Sequence, residues 1–195
     1  MIRQLGVSVR LTIVSVIVLG LIYPLAMTGL AQLLFPWQAN GALVTQGGRV
    51  VGSAIIGERW TQARYFHGRP SAAGKDGYDP TSTGGTNLAP SSKKLLDATR
   101  AAIVALRNEN PDATLPVPMD LVTSSASGID PEISPEAAYY QAPRVAKARG
   151  LALASVNGVI ARTIEGRTFG ILGEPRVNVL RLNLALDASS ASAGR

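Results

Sequence analysis

The chain has no cysteine and only one histidine, His67, among its 195 residues. Without cysteine no disulfide framework can form, whichever compartment the protein occupies. A zinc site needs three or four ligands from histidine, cysteine or carboxylate side chains, and a single histidine supplies too few of them. These absences exclude a disulfide-stabilised domain and argue against a zinc centre, so we expect no metal in this chain.

The sequence also lacks a run of basic residues, although its net charge is +6. Lysine and arginine occur singly or in pairs such as Lys93–Lys94, and aromatic residues make up only 5% of the chain. Nucleic-acid-binding domains cluster their basic residues and add aromatic side chains that stack on bases. We therefore expect no nucleic-acid partner, and the positive charge suits anionic lipid or an acidic protein surface better.

Residues 11–35 contain no charged side chain. About 20 apolar residues in a helix cross a hydrocarbon core of about 30 Å, so this segment is long enough to span a membrane. A cleaved signal peptide is the alternative, but its apolar core has only about 7–15 residues and ends at a small-residue cleavage site. Here the apolar run is longer and leads into bulky Leu34 and Trp37. The pattern predicts a retained transmembrane helix.

The charges that flank this helix predict its orientation. Arg3 and Arg10 precede it with no acidic residue in 1–10, whereas the first basic residue after it is Arg49. Because cytoplasmic flanks carry the excess of lysine and arginine, we expect residues 1–10 in the cytoplasm. The protein would then be a single-pass protein of the cytoplasmic membrane, in contact with lipid, with its main domain outside.

The rest of the chain predicts a single extracytoplasmic α+β domain at 49–187, after a juxtamembrane linker at 36–48 and before a flexible tail at 188–195. Hydrophobic periodicity and capping residues predict its helices and strands. The predicted strands are 49–57 and 180–186. The predicted helices start at Ser91, at Asp130 or Ser134 with Ser134 preferred, and at Ser155. The segment 65–92 lacks periodicity, and irregular segments of this length are usually functional or disordered. Its aromatic residues indicate that it is ordered.

Two segments offer partial matches to catalytic or nucleotide-binding motifs. A serine–histidine pair would join His67 to Ser124, Ser125 or Ser127, but the chain has no G-x-S-x-G motif, and these serines suit a turn. The glycine-rich residues 83–87 lack the Gly-Lys-Ser/Thr ending of a phosphate-binding loop. A membrane-anchored serine hydrolase, or another envelope-domain protein, is therefore the alternative function rather than the preferred one.

Six segments together resemble the C subunit of the bacterial high-affinity potassium-transporting ATPase, the Kdp family. YFHGRPSAA at 65–73 and the block 116–150 are the most specific, and 173–187 reads GEPRVNVLRLNLALD. The other three are FPWQANGAL at 35–43, GSAIIGE at 52–58 and GGTNLAPSS at 84–92. The resemblance covers essentially the whole chain in order, with mild departures such as Thr86, Ser125 and a variable stretch at 151–168.

The resemblance implies a non-catalytic accessory subunit of an ATP-driven potassium importer. Its partners would be a channel-like potassium-binding subunit, a P-type ATPase subunit and a small single-helix subunit. This chain has no DKTG phosphorylation motif, as expected of an accessory subunit. The role implied is to stabilise assembly and to raise the affinity of the ATPase subunit for ATP.

In this family the effect on ATP has been tied to a glutamine, which matches Gln141 here, with Ser127 and Gly128 in the neighbouring serine- and glycine-rich segment. Transient ATP binding, shared with the ATPase subunit, would then be the only cofactor interaction. The predicted orientation conflicts with this role, because it places Gln141 outside the membrane, where ATP is scarce. The predicted orientation instead favours a domain that covers the potassium entrance of the channel-like subunit.

Overall fold

The computed structural model describes the backbone of residues 2–193 and the side chains of residues 2–189. The chain divides into two compact units, with the division between Val44 and Thr45. The first unit contains the long apolar helix, and the second contains all of the residues that form the hydrophobic core cluster. A mixed helix and sheet domain follows one N-terminal apolar helix, as the sequence predicts.

The N-terminal helix, α1, runs from Ile2 to Leu34. It is the one helix in the described part of the chain that is long and apolar enough to cross a membrane by length and composition. Its amino end lies well before residue 11, so the helix includes Arg3 and Arg10 in addition to the predicted apolar segment. A single membrane-spanning anchor is therefore consistent with the structure.

Pro24 is accommodated within α1 by a widened segment of helix. Proline has no N–H to donate to the carbonyl four residues before it, and its ring crowds that carbonyl. Over Val16–Ile22 the helix adopts π geometry, in which the Tyr23 N–H bonds to the Val18 carbonyl five residues back. A π segment is a recognised way for a helix to absorb an interruption of its regular hydrogen bonds.

After α1 the chain forms five more helices, five short strands and one 3₁₀ turn within the described residues. The helices are α2 (Pro36–Ala39), α3 (Lys93–Glu109), α4 (Pro135–Arg149), α5 (Leu153–Thr163) and α6 (Val179–Ala193). The strands are β1 (Leu43–Gln46), β2 (Arg49–Ser53), β3 (Glu132–Ile133), β4 (Ile164–Glu165) and β5 (Arg176–Asn178), and the 3₁₀ turn is Met119–Leu121. Residues 54–92, between β2 and α3, contain neither helix nor strand.

The core of the second unit lies where α4, α5 and α6 pack against a small antiparallel sheet of order β3-β5-β4. The central strand pairs with both neighbours: Val177 faces Ile133 on one side and Ile164 on the other. The fully buried side chains of this core are mostly aliphatic and include Val145, Ile160, Val177, Leu182 and Leu186. Phe66, from the irregular segment 54–92, is buried among them.

Several predicted helix boundaries are confirmed. The side chain of Ser134 caps α4 by accepting a hydrogen bond from the Ala137 N–H at 3.0 Å. Gly150 ends α4 with a left-handed backbone of φ 65°, as expected of a C-terminal glycine. The helix α3 starts one residue later than predicted, with Ser92 rather than Ser91 at its cap position and no capping bond from the Ser92 side chain.

The strand predicted at 180–186 is wrong, because these residues lie in the helix α6. Asn178 caps this helix: its side-chain oxygen accepts a hydrogen bond from the Arg181 N–H at 3.1 Å. Residues 188–193, predicted as a flexible tail, continue α6, while residues 194 and 195 lie outside the described part of the chain.

Candidate functional site

The irregular segment 54–92 is held in place by buried side-chain amides from the helical core. Asn183 on α6 accepts a hydrogen bond from the Phe66 N–H at 2.8 Å and donates one to the Phe66 carbonyl at 3.1 Å. Asn178 donates to the Ala54 carbonyl at 2.8 Å. These amides satisfy backbone groups that a strand neighbour would otherwise satisfy, so the segment is ordered without secondary structure of its own.

Gln141 on α4 makes the same kind of double contact with the next residue of the segment. Its Oε1 accepts a hydrogen bond from the His67 N–H at 2.9 Å, and its Nε2 donates to the His67 carbonyl at 3.1 Å. The Nε2 group also donates to the Ala137 carbonyl at 3.3 Å. The Gln141 side chain is fully buried, and its donors and acceptor all have partners within the chain.

Arg144, one turn further along α4, is the centre of this hydrogen-bond network. Its Nη1 donates to the carbonyls of Ala63 and Tyr65 at 2.6 and 3.0 Å. Its Nη2 donates to Gln141 Oε1 at 2.8 Å and its Nε to Asn110 Oδ1 at 2.9 Å. The side chain is only 6% exposed. One buried guanidinium thus joins α4, the end of α3 and the irregular segment.

Glu109 at the end of α3 supplies the negative charge of the network. Its Oε1 lies 2.9 Å from His67 Nδ1 and 3.7 Å from Arg144 Nε. The hydrogen bond from His67 lowers the pKa of Glu109, and the charges of His67 and Arg144 add to this effect against the desolvation of the carboxyl group. Burial lowers the pKa of the Arg144 guanidinium, and the Glu109 carboxylate opposes that shift. The Glu109 carboxylate therefore remains ionised beside the buried Arg144 guanidinium.

The contacts of His67 give no support to the serine hydrolase alternative. Its Nδ1 faces Glu109, and its Nε2 lies 3.1 Å from the Gln62 carbonyl. Both ring nitrogens therefore face acceptors within the domain, whereas a general base must hold one nitrogen against the serine hydroxyl. The hydroxyl of Ser125 accepts from the Gly128 N–H at 2.8 Å, and that of Ser127 from the Ile129 N–H at 3.3 Å.

The segment 124–128, which contains Ser127 and Gly128, packs against residues 71–84 of the irregular segment. The Ser127 carbonyl accepts a hydrogen bond from the Gly84 N–H at 2.8 Å, and the Gly128 carbonyl accepts one from the Ser71 hydroxyl. Gly128 has a left-handed backbone, with φ 71°. These contacts hold the backbone of the turn in place. Gln141 bonds instead to His67, Ala137 and Arg144, so the turn and Gln141 do not share a hydrogen-bond partner.

A polar cleft of about 660 Å³ lies between α3 and the irregular segment. Besides His67, its lining includes charged residues of both signs, namely Glu58, Arg59, Arg69, Lys75, Asp76 and Glu109. Burial raises the pKa of Glu58. Burial, together with the Asp130 carboxylate and against the Arg69 charge, raises the pKa of Tyr78 to about 12, so its phenol stays protonated and donates to the Arg69 carbonyl at 2.6 Å.

The residues predicted from the sequence to form a site do not lie together in the structure. His67 lines the cleft, whereas Gln141, Ser127 and Gly128 do not. No group of three histidine, cysteine or carboxylate side chains that could hold a metal ion occurs among the described residues. The sequence indicates the segment that contains His67 but gives no sign of the roles of Arg144 and Asn183, whose partners lie far away in the chain.

Comparisons with known proteins bear on the whole chain. A family model described as "K+-transporting ATPase, c chain" (KdpC) matches residues 5–188. A protein of Myxococcus xanthus named potassium-transporting ATPase KdpC subunit is 60% identical over 181 residues, which are 92% of this chain and 85% of that protein. Proteins of the same name from Acidobacterium capsulatum and Polynucleobacter asymbioticus are 56% and 52% identical, over 95% of this chain and 98% and 96% of their own lengths.

Proposed function

We propose a function from one premise, that this chain belongs to the KdpC family, the c chains of K+-transporting ATPases. It is a non-catalytic subunit of a potassium-transporting ATPase complex, and catalysis lies in another chain. Its single apolar helix, α1, is the candidate membrane anchor.

Beyond that premise, we propose that the folded domain lies outside the cytoplasm, covers the potassium entrance of a channel-like subunit and stabilises the complex. The partners are that subunit, the P-type ATPase subunit and a small single-helix subunit. The observation that carries this proposal is the segment 54–92, which buried amides and Arg144 hold as an ordered, loop-built surface. Loops fixed on a rigid scaffold commonly carry binding functions. Arg3 and Arg10 before the apolar run favour the orientation.

The sidedness can be measured with single cysteines, because the chain has none of its own. We expect Ser91→Cys, at an exposed position before α3, to react in intact cells with a membrane-impermeant maleimide carrying a mass tag. Ser8→Cys, at the exposed amino end of α1, is the matched control, and it should react only after the membrane is permeabilised. Purification of the tagged chain separates its labelling from that of cysteines in the other subunits.

The reverse pattern, with Ser8→Cys labelled in intact cells and Ser91→Cys protected, would contradict the proposed orientation. It would place the domain beside cytoplasmic ATP and make the nucleotide role of Gln141 the leading mechanism. Labelling of Ser91→Cys from outside would instead leave ATP affinity to an indirect effect transmitted through the assembled complex.

A second candidate function is the effect on ATP affinity, with Gln141, Ser127 and Gly128 as the nucleotide contacts. Burial of Gln141 favours an indirect route, because every polar atom of its side chain already bonds within the domain. Gln141→Ala should lower the free energy of unfolding by about 2–4 kcal/mol, since it leaves backbone groups of His67 unpaired. Asn183→Ala is the matched control, because Asn183 makes the equivalent pair of bonds to Phe66.

The measurement that separates the two routes is the KM for ATP of the purified complex. If the route is indirect, Gln141→Ala and Asn183→Ala raise this KM to the same extent. A rise with Gln141→Ala alone, at equal loss of stability, would show that Gln141 contacts the nucleotide.

A further inference from the structure

The connection between β4 and β5 ends in an exposed apolar tip, formed by Phe169, Ile171 and Leu172. These residues are 88%, 74% and 56% exposed, respectively. The tip is nevertheless ordered: Thr168 and Leu172 exchange two backbone hydrogen bonds of 2.9 Å, and the Gly170 N–H bonds to the Arg167 carbonyl at 3.0 Å. A narrow hairpin thus exposes three large apolar side chains to water, which is unfavourable in free energy. Contiguous exposed apolar side chains of this kind mark interaction sites.

The backbone at the tip points to the same conclusion. Phe169 and Gly170 both have left-handed backbones, with φ 55° and 77°. Glycine, asparagine and aspartate are the residues that tolerate this conformation in a tight hairpin, whereas an aromatic residue there is strained. The fold alone would therefore be served better by asparagine at position 169. A phenylalanine in this place, with its ring in solvent, indicates a requirement outside the fold of this chain.

The charges around the tip distinguish a protein partner from a lipid surface. Arg167, Arg176 and Arg181, which lie in the hairpin or against its strands, each contact a carboxylate of the same domain. These ion pairs are Arg167–Glu174 at 2.6 Å, Arg176–Glu132 at 2.9 Å and Arg181–Glu165 at 2.8 Å. These six side chains, called the ion-paired collar below, carry three positive and three negative charges. Insertion into an anionic bilayer favours an excess of basic residues, whereas an apolar centre with a balanced polar rim is typical of protein interfaces.

We infer that Phe169, Ile171 and Leu172 form a docking knob that inserts into an apolar pocket on the channel-like subunit of the potassium-transporting ATPase. This inference rests on the proposed function, since it takes the subunit whose potassium entrance the domain covers as the partner. Phe169 is the central anchor, because an aromatic side chain on an ordered backbone has only two rotatable bonds to immobilise on binding and buries a large area. In the complex, the ion-paired collar forms the polar rim of this contact.

The test is Phe169→Asn in the full-length chain, co-expressed with the other subunits and purified through a tag on this chain. We expect the amount of co-purified partner subunits to fall at least tenfold, while the melting temperature of the isolated variant in detergent stays equal to or above that of the parent. Leu96→Gln is the matched control, because Leu96 is a 49% exposed apolar residue on α3, remote in sequence from the hairpin. It should leave co-purification unchanged.

Normal co-purification of the Phe169→Asn variant would overturn the inference and leave the proposed function standing, since the Ser91→Cys labelling tests sidedness independently. A lipid contact is tested with Phe169→Trp in vesicles of brominated phosphatidylcholine and phosphatidylglycerol. The added tryptophan fluorescence should escape quenching by the bromine atoms. Strong quenching in the chain alone would assign the tip to the bilayer and contradict the protein partner.

Discussion

Replacing Arg144 by methionine should lower the free energy of unfolding of this protein by about 3–5 kcal/mol, the range for a buried charge network that loses one partner. Methionine keeps the length of the apolar stem but removes five N–H donors. The carbonyls of Ala63 and Tyr65 would lose their bonds of 2.6 and 3.0 Å, and the Asn110 side chain would lose its bond of 2.9 Å. The Glu109 carboxylate would lose a nearby buried cation.

Loss of Arg144 should act first on the irregular segment rather than on the helices. Trp60 belongs to this segment, and its ring centroid lies 4.7 Å from that of Tyr65, whose carbonyl accepts from Arg144. The chain has two tryptophans, so a Trp37→Phe background makes Trp60 the sole reporter. Urea unfolding of the full-length chain in detergent, followed by Trp60 fluorescence and by far-ultraviolet circular dichroism, then separates local release from global unfolding.

Lys147→Met on the same helix is the matched control for Arg144→Met. Lys147 pairs with Asp112 at 3.0 Å, but the two side chains are 75% and 54% exposed. An exposed pair of this kind contributes about 0–1 kcal/mol. If Arg144→Met and Lys147→Met unfold at the same urea concentration, the buried guanidinium does not hold the segment, and the basis for treating it as a rigid surface is lost.

The helices that begin and end with local signals could be predicted from the sequence. The α4 boundaries depend on Ser134, Pro135 and Gly150, whose effects operate within a few residues of the chain. The apolar segment of α1 is recognisable for the same reason, since its length and lack of charge suffice. The family could also be recognised, because its motifs lie along the whole chain, and the match over residues 5–188 confirms it.

The helix α6 shows where periodicity misleads. Leucine occupies every second position from Leu180 to Leu186, which is the pattern of a half-buried strand. The buried positions include Val179, Leu182, Asn183 and Leu186, which follow the helical spacing of three and four residues. The helical pattern is not apparent from the sequence, because one of its buried positions is the polar Asn183 and nothing in the neighbouring residues indicates that this asparagine is buried.

The candidate site depends on contacts between residues far apart in the chain. The sequence therefore predicts the irregular segment of the site but not the core side chains that bind it. Asn183 bonds to Phe66 across 117 residues, and Arg144 bonds to Ala63 across 81. Such partners are determined by the packing of α4 and α6 on the core, not by spacing. The irregularity and the motif of segment 65–73 are visible in the sequence, whereas the side chains that hold this segment are visible only in the fold.

The second large effect is expected at Gly128, where alanine should lower the free energy of unfolding by roughly 2–5 kcal/mol through backbone strain and overpacking. Its φ of +71° is a conformation that L-residues with a Cβ rarely adopt. An added Cβ would also lie 2.6 Å from Ala73 Cβ, 2.7 Å from the Gly84 carbonyl oxygen and 2.8 Å from Ala73 N. Two of these three atoms belong to the backbone, so a side-chain rotation cannot relieve the contact.

Gly173→Ala separates the two contributions, because Gly173 has nearly the same backbone, with φ +75°, and no atom within 4 Å of an added Cβ. Gly173→Ala should lower the free energy of unfolding by the backbone strain alone, about 1–2 kcal/mol. The difference between the two variants, measured by urea unfolding of the full-length chain, gives the cost of crowding between segment 124–128 and the irregular segment. Equal losses would mean that these segments move apart easily, and the surface proposed to cover the potassium entrance would then not be rigid. A larger loss at Gly128 would also assign this glycine to close backbone packing, which explains its place in the chain without a bound nucleotide.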